Sequence, residues 1–205
     1  HPNVRQHLPA DAFVIAADSG YAHAIAMGLA PNELVGDMDS ITAVDLTDAR
    51  DSNILISQFP TDKDLTDTEI AITSAIARQS THITVVSGGG DRFDHVLGMV
   101  HSLASCAGTV DTTLLIGMAR VSYATYTKEF RNNTRPGDII SLIPIGGAAT
   151  VTTTGLQWEL DHDTLQSFAS RGVSNIATAE SVSISVTDGL LAVIQPFFLN
   201  PGDIS

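Results

Sequence analysis

The sequence predicts an α/β fold: an N-terminal, doubly wound, mostly parallel sheet domain over residues 1–118, followed by a smaller antiparallel β-sandwich domain over 119–205. Two observations lead to this prediction. In the first half, apolar runs of strand length alternate with helical patterns. From about Arg120 onwards the helical periodicity disappears, and short β-rich runs separated by Gly and Pro turns follow.

The first elements are predicted in the order strand, helix, strand, helix, strand. Their ranges are 12–17, 21–27, 34–35, 41–50 and 53–57. The run 12–17 is continuously apolar, which is typical of a buried strand. Asp18 follows it directly, and the second apolar run leads into Asp37. Both aspartates are therefore expected just beyond the carboxyl ends of strands.

Asp37 and Asp39 form an Asp-x-Asp pair in the stretch Val35 to Ser40. If they lie at a strand end, the two-residue period directs both carboxylates to one face, with Cα atoms about 6 to 7 Å apart. Mg²⁺ prefers such oxygen ligands and usually also binds the oxygens of a polyphosphate. A magnesium site serving a nucleotide is one interpretation. A turn rich in Asp and Ser is the other, and the pair alone does not separate them.

A helix start is predicted at Thr66, because Thr66 and Glu69 have the spacing of a capping box before an apolar helical pattern. Asp64 and Asp67 then lie at a helix N-terminus, where backbone N–H groups and the helix dipole favour phosphate. The simpler interpretation is that these acids only cap the helix.

A Gly-rich segment, Gly88 to His95, follows a predicted strand over 82–87 and precedes a predicted helix over 96–105. Its spacing fits neither a P-loop nor a dinucleotide fingerprint. Arg92 strengthens a phosphate-binding interpretation, because a guanidinium can hold phosphate oxygens with two hydrogen bonds. His95 is either a proton shuttle or a residue that orients a neighbour.

The strand over 112–116 is predicted to be the last of the parallel sheet. Four further β-rich runs are predicted after it, over 139–145, 149–154, 181–187 and 190–195. The run 181–187 alternates strictly between polar and apolar residues, which is typical of a strand with one solvent-facing side.

Composition limits the function. The chain has 205 residues, 43% of them hydrophobic, and a net charge of −13. With only 10 Lys and Arg residues, nucleic acid is not an expected partner. No apolar run reaches membrane-spanning length, so no membrane partner is expected either. The lone Cys106 fits a reducing compartment, and cytoplasm is expected. The chain begins at His1 without Met, so a longer native N-terminus is expected.

Four segments in this order resemble motifs of the thiamine pyrophosphokinase family, also called thiamine diphosphokinases. They are Ala17–Asp18–Ser19–Gly20, Gly36–Asp37–Met38–Asp39–Ser40, Lys63–Asp64–Leu65–Thr66–Asp67, and Gly89 to His95, where Asp91 is an insertion or variation. Two later segments, Thr154 to Leu160 and Arg171 to Asn175, resemble the thiamine-pocket segments of the family. Ser19 and Tyr21–Ala22 depart from its usual residues.

The resemblance implies Mg²⁺-dependent transfer of a diphosphate from ATP to the hydroxyl of thiamine, giving AMP and thiamine diphosphate. It implies that Asp37, Asp39 and Asp67 are catalytic and hold Mg²⁺. The implied nucleotide-binding residues are Asp18, Lys63, Asp64, Thr66, Arg92 and Asp94. Asp94 either fixes Arg92 or contacts substrate. A homodimer is also implied, in which the thiamine pocket of one subunit faces the Asp cluster of the other.

Trp158, the sole tryptophan, is expected to form an aromatic wall for thiamine, because an indole face attracts flat and cationic rings. Ser174 and Asn175 are expected to hydrogen-bond the pyrimidine edge. A core role for Trp158 is the alternative.

Two other functions are compatible with parts of the sequence. Another Asp-x-Asp metal-dependent transferase, with a pterin or sugar acceptor, explains the carboxylates but gives the Thr66 helix start and Arg92 no role. A non-catalytic module that binds thiamine or a nucleotide is disfavoured, because all candidate metal carboxylates are present.

Overall fold

The computed structural model describes residues 2–90 and 92–199 of the chain, which divide into two compact units. The first unit is Pro2–Ser80, and the described part of the second is 81–90 and 92–199. The domain boundary predicted from the sequence, at 118/119, differs from this division at 80/81. It stays a prediction. No described helix is long and apolar enough to cross a membrane.

The first unit is a parallel sheet with helices. After a short 3-10 helix, Pro2–His7, its elements in chain order are β1 (Ile15–Ala17), α1 (Gly20–Ala26), β2 (Glu33–Gly36), α2 (Ala43–Asp51), β3 (Leu55–Gln58) and α3 (Asp67–Ala77). The strands pair in parallel in the order β1-β2-β3. The predicted alternation of strands and helices is confirmed, although each element starts or ends a few residues from its predicted bounds.

The core of the first unit lies against the central strand β2, all of whose residues are buried. Leu34 packs in one cluster with Ala16, Tyr21 and Ala49. Tyr21, one of the residues that depart from the family pattern, is 1% exposed and donates its hydroxyl hydrogen to Asp48 Oδ2 at 2.7 Å. This residue therefore has a structural role.

The second unit begins with a βαβ arrangement and continues as antiparallel strands. Its elements in chain order are β4 (His82–Ser87), α4 (Phe93–Cys106), β5 (Asp111–Ile116), β6 (Ala119–Thr125), β7 (Phe130–Asn133), β8 (Ile139–Pro144), β9 (Ala149–Thr154), β10 (Asp163–Leu165), β11 (Asn175–Ile176), β12 (Ser181–Asp188) and β13 (Leu190–Gln195). They form a six-stranded sheet, β11-β8-β13-β6-β5-β4, and a four-stranded sheet, β10-β9-β12-β7.

These two sheets share one hydrophobic core, which confirms the predicted sandwich. Ile140 and Leu142 of the first sheet cluster with Val151, Ile184 and Leu165 of the second, and each is fully buried. Such face-to-face packing explains the strict alternation of β12, because its apolar residues face the core and its serines do not.

One part of the predicted topology is wrong. The strand β5 was expected to end the parallel sheet of the N-terminal domain, yet β4 and β5 belong to the six-stranded sheet of the second unit. The cause is a tight hairpin in which Ile116 pairs with Ala119 across Gly117 and Met118. Gly117 has a φ of 57°, a conformation that glycine adopts readily in two-residue hairpin loops.

Candidate active site

Three carboxylates of the first unit converge at one place. Asp18, Asp37 and Asp67 each offer an oxygen, and these oxygens lie within 4.8 Å of one another. Asp18 follows β1, Asp37 follows β2 and Asp67 is the first residue of α3. The site therefore lies where the carboxyl ends of parallel strands meet a helix N-terminus, the usual position of ligands in open α/β sheets.

The backbone around Asp18 explains why its carboxylate is held there. Ala17 is paired with Val35, and the Asp18 N–H donates to the Val35 carbonyl at 2.9 Å. The Met38 N–H donates to Asp18 Oδ1 at 3.0 Å. Asp18 and Met38 have φ values of 45° and 68°, a left-handed conformation that L residues rarely adopt. Such strain is concentrated at functional sites.

Asp67 is placed by the start of α3, and the predicted capping box is confirmed. Glu69 N donates to Thr66 Oγ1 at 3.3 Å, and Thr66 N donates to Glu69 Oε2 at 3.1 Å. The Thr66 side chain therefore accepts a hydrogen bond from a backbone N–H in the first turn of α3, which has no partner within the helix. A contact between Thr66 and a nucleotide stays a prediction.

Lys63 supplies the positive charge of this site. Its Nζ lies 2.9 Å from Asp67 Oδ1 and 3.5 Å from Asp37 Oδ2. The close contact with the Asp67 carboxylate raises the pKa of Lys63. Asp64, the next residue, is exposed and lies outside the group of converging carboxylates.

The carboxylates differ in their titration. The pKa of Asp18 is raised to about 6, mainly by burial and also by the neighbouring Asp67 and Asp37, while the hydrogen bond from the Met38 N–H opposes this rise. The backbone N–H of Asp39 donates to Asp37 Oδ1 at 3.1 Å, which lowers the pKa of Asp37, as does Lys63. The neighbouring charge of Asp37 raises the pKa of Asp39.

These residues fit a hard cation such as Mg²⁺. Asp67 Oδ1 is buried, and within residues 2–90 and 92–199 it has no hydrogen-bond partner apart from the neighbouring Lys63 ammonium. Three converging carboxylates against one ammonium leave an excess of negative charge, and all the donors are oxygens. The group present is Asp18, Asp37 and Asp67, whereas the sequence placed Asp39 in the ligand set and Asp18 beside the nucleotide. Asp39 is exposed.

In the second unit, Arg92 is fixed by Asp94. Arg92 Nε donates to Asp94 Oδ1 at 3.0 Å and Nη2 donates to Asp94 Oδ2 at 2.7 Å. These bonds hold the pKa of Asp94 well below its usual range and raise the pKa of Arg92. This contact agrees with the predicted role of Asp94 in fixing Arg92, and a contact between Asp94 and a substrate stays a prediction. Asp91, the insertion noted in this loop, lies outside the described residues.

Trp158 lies on a turn between β9 and β10. Its side chain is 56% exposed, while Leu156 and Leu160 on either side are 3% and 6% exposed. The alternative that Trp158 belongs to the core is therefore wrong. An exposed indole on a turn anchored by two buried leucines remains consistent with an aromatic wall for a ligand.

Ser174 and Asn175 differ from each other in their surroundings. Ser174 is exposed, has a φ of 60° and donates its backbone N–H to Ser141 Oγ at 3.0 Å. Asn175 is 4% exposed, and its carboxamide binds the Trp158 backbone. The predicted hydrogen bonds of both residues to a pyrimidine stay untested, although the Asn175 side chain already has protein partners.

Gly36 belongs to this site, although its motif alone assigns it no role. It has a φ of 140°, and a Cβ at this position would lie 2.1 Å from Asp18 Oδ1. A glycine between a buried strand and an Asp-x-Asp pair was the available signal, because glycine in a strand often marks a close approach.

Comparison with known proteins gives two family matches. Residues 4–115 match the family described as "Thiamin pyrophosphokinase, catalytic domain". Residues 127–191 match the family described as "Thiamin pyrophosphokinase, vitamin B1 binding domain". The first match covers the carboxylate group and Arg92, and the second covers the Trp158 turn.

Individual relatives agree with these matches. Thiamine pyrophosphokinase 3 of rice (Oryza sativa subsp. japonica) is 30% identical over 170 residues, which are 77% of this chain and 62% of the relative. Thiamine pyrophosphokinase of Bacillus subtilis is 26% identical over 186 residues, 88% of this chain and 86% of the relative. The crystal structure from B. subtilis has the same fold, with a TM-score of 0.84 and 23% identity over 95% of this chain and 92% of that one.

Proposed function

This chain belongs to the thiamin pyrophosphokinase family, and from this premise we propose that it transfers a diphosphate from ATP to thiamine. The chain spans only 62% of the length of the rice relative. The observation that carries the proposal is the convergence of Asp18, Asp37 and Asp67 beside Lys63.

The proposed reaction is a single displacement. The hydroxyl oxygen of thiamine forms a bond to the β-phosphorus of ATP, and the bond from that phosphorus to the bridging oxygen of the α-phosphate breaks. AMP leaves with the bridging oxygen, and the hydroxyl proton is released. Little covalent chemistry is required of the protein in such transfers, so positioning and charge neutralisation are its main contributions.

Asp18, Asp37 and Asp67 are the proposed holders of Mg²⁺, and Asp39 remains a candidate from the sequence. When bound, Mg²⁺ supplies positive charge that offsets the charge of the phosphate oxygens. Lys63 lies among these carboxylates with a raised pKa, so it stays protonated and can bind phosphate directly. The first turn of α3 adds outward-facing N–H groups, which favour an anion.

Arg92 is proposed to bind phosphate oxygens. Its bidentate contact with Asp94 uses Nε and Nη2 and fixes the plane of the guanidinium. Since a guanidinium has five donors, the others remain available for an anion. Lys cannot hold this fixed orientation in the same way, because its ammonium is a point charge on a flexible stem.

The exposed Trp158 face is the proposed thiamine wall, with Ser174 at the pyrimidine edge. A homodimer in the cytoplasm is proposed as the working form. Light scattering after size-exclusion chromatography, and fractionation of cells, test these two points.

A product assay tests the activity most directly. The purified chain is incubated with ATP and Mg²⁺, with and without thiamine, and nucleotides are separated by chromatography. Thiamine-dependent AMP together with thiamine diphosphate is the expected result. ADP as the sole thiamine-dependent nucleotide product would reject diphosphate transfer, and no thiamine-dependent product would favour a binding module or another acceptor.

A further inference from the structure

The turn that carries Trp158 is held by backbone contacts at several points. Gly155 N donates to Glu159 Oε1 at 2.8 Å, and Gln157 N donates to the Ile176 carbonyl at 2.8 Å. A Cβ on Gly155 would lie 2.4 Å from the Ser181 carbonyl oxygen, so the turn packs closely on the first residue of β12. Trp158 itself is 56% exposed. A fixed turn therefore presents a free aromatic face.

The Asn175 side chain adds a connection to Trp158 itself. Its Oδ1 accepts hydrogen bonds from Trp158 N at 3.1 Å and from Ile176 N at 2.9 Å. Its Nδ2 donates to the Trp158 carbonyl at 2.8 Å. Both peptide groups that flank the Trp158 Cα are thus bonded to one buried carboxamide, which is 4% exposed.

This bonding leaves little capacity for a substrate. A carboxamide oxygen has two acceptor sites, and both are used. The amide nitrogen has two N–H donors, of which one is used. A residue whose acceptor is saturated by the backbone cannot accept from the amino group of a bound heterocycle.

We infer that Asn175 is a positioning residue, which fixes the backbone of Trp158, and so the place from which the indole extends, and which acts on the substrate through Trp158. The inference deepens the proposed function, since it rests on Trp158 being the wall for thiamine. Ordering the Trp158 backbone before the ligand arrives lowers the entropy cost of binding, because this segment of the chain need not be immobilised at that moment.

The chemistry of the position explains the choice of asparagine. Only a carboxamide of this length offers an acceptor to Trp158 N and a donor to the Trp158 carbonyl. Asn175→Asp keeps the acceptor but turns a second oxygen towards that carbonyl. Asn175→Ala removes both bonds. The two variants therefore separate loss of the donor from loss of the whole clamp.

The first test is a double-mutant cycle in the full chain. We expect Asn175→Ala to raise the Michaelis constant for thiamine about 3- to 30-fold, with that for ATP unchanged, because the loss is confined to the aromatic contact. In the Trp158→Ala background, Asn175→Ala should have almost no further effect, since the group that it positions is gone. If the effects of the two substitutions on the Michaelis constant for thiamine multiply in the double variant, the inference is overturned. Asn175 would then contact the substrate directly.

The second test does not need activity. Trp158 is the sole tryptophan, so time-resolved fluorescence anisotropy reports the motion of this side chain alone. In Asn175→Ala the amplitude of the sub-nanosecond depolarisation should rise, with a smaller rise in Asn175→Asp. The matched control is Asn133→Ala, at the exposed last residue of β7, which should leave the decay unchanged.

The outcomes separate the two proposals. A rise in indole motion in Asn175→Ala, together with no thiamine-dependent product from the wild-type chain, would support the positioning role and reject the proposed function. Thiamine-dependent turnover by the wild type, together with unchanged indole motion in Asn175→Ala, would support the proposed function and reject the positioning role. If Asn175→Ala does not fold, as judged by circular dichroism, the fluorescence anisotropy decay of Asn175→Asp alone decides whether Asn175 positions Trp158.

Discussion

Gly36 and Asp18 are in a contact that leaves no room for a side chain on the glycine. A Cβ added to Gly36 would lie 2.1 Å from Asp18 Oδ1 and 2.5 Å from its carboxyl carbon. The contact follows from the pairing of Ala17 with Val35, which places the next residues of the two strands side by side. The position of the Asp18 carboxylate thus depends on the absence of a side chain at Gly36.

The first prediction concerns this contact. Gly36→Ala should lower turnover about 100-fold, because displacing a catalytic group by about 1 Å has an effect of that order. The φ of 140° adds backbone strain, so some loss of stability is also expected. Gly108→Ala is the control, since a Cβ there meets nothing within 4 Å. Near-normal turnover of Gly36→Ala at ordinary Mg²⁺ concentrations would show that the Asp18 position is unimportant.

The second prediction concerns the metal ligands. Asp37→Asn and Asp67→Asn should each lower turnover by orders of magnitude with the fold intact, because a lost ligand removes charge stabilisation at the transferring phosphates. Asp62→Asn is the matched control on the exposed loop before Lys63. Asp39→Asn decides between the two ligand sets: near-normal turnover at saturating Mg²⁺ would remove Asp39 from the site.

The third prediction concerns pH in the metal-free protein. The folded pKa of Asp18 is about 6, above its ordinary 3.8, because burial and the facing Asp67 and Asp37 disfavour its charge. The folded state therefore binds the proton more tightly, and this contribution to stability is fully present below pH 3.8 and lost as pH rises through 6. Lys63 contacts Asp37 and Asp67 and stays protonated throughout.

Urea unfolding in EDTA checks this prediction. The free energy of unfolding of the wild type, relative to Asp18→Asn, should fall between pH 4.5 and pH 7. Taking the difference between the two proteins removes the titration of the other carboxylates. A constant difference across this range would mean that Asp18 titrates normally.

The fourth prediction concerns a buried acid at the start of the central strand β2. Glu33 is 3% exposed and accepts from Ser57 Oγ, Ser74 Oγ and Arg78 Nη2, the last at 2.9 Å. Arg78→Ala should destabilise the fold by about 3 kcal/mol, because it leaves a buried carboxylate without its cation. The loss of the Arg78 contact with the Phe13 ring adds to this.

Urea denaturation of Arg78→Ala and of the exposed control Arg50→Ala measures the effect. Arg78→Lys should recover part of the loss, since it restores the charge but not the planar contact with Phe13. Equal stability of the two alanine variants would show that the serines suffice for Glu33.

The fifth prediction concerns Trp158. Trp158→Ala should raise the Michaelis constant for thiamine about 2- to 30-fold, with that for ATP nearly unchanged. Tyr126→Ala is the control, since Tyr126 is a more exposed aromatic, at 78%. Equal weakening of both substrates together with a lower melting temperature would indicate a general structural effect.

The sequence was sufficient for features set by local spacing. The Thr66–Glu69 capping box and the alternation of β12 are short-range patterns, and the structure contains both. The identity of the third converging carboxylate was not accessible, because it depends on the register between β1 and β2, which lie far apart in the chain. Spacing within Asp37–Met38–Asp39 carries no information about that register.

The role of Asn175 was also beyond the sequence. An asparagine in a loop of a β-rich region can contact a ligand or the backbone, and its choice depends on which turn packs beside it. The sheet assignment of β5 had a local signal in Gly117, between two apolar runs, and weighing it as a hairpin turn would have joined β5 to β6.

The β5–β6 hairpin sets a limit on how this chain can be divided. A cut after residue 118 would separate two strands that are hydrogen-bonded from Thr113 to Ile116 and would bare an edge carrying the buried Leu114 and Leu115. Unpaired apolar edges template aggregation. A cut after Ser80 leaves every strand pair of both later sheets intact. Split-protein reporters and domain swaps with relatives are therefore best designed at Ser80, even though the motifs suggest a later junction.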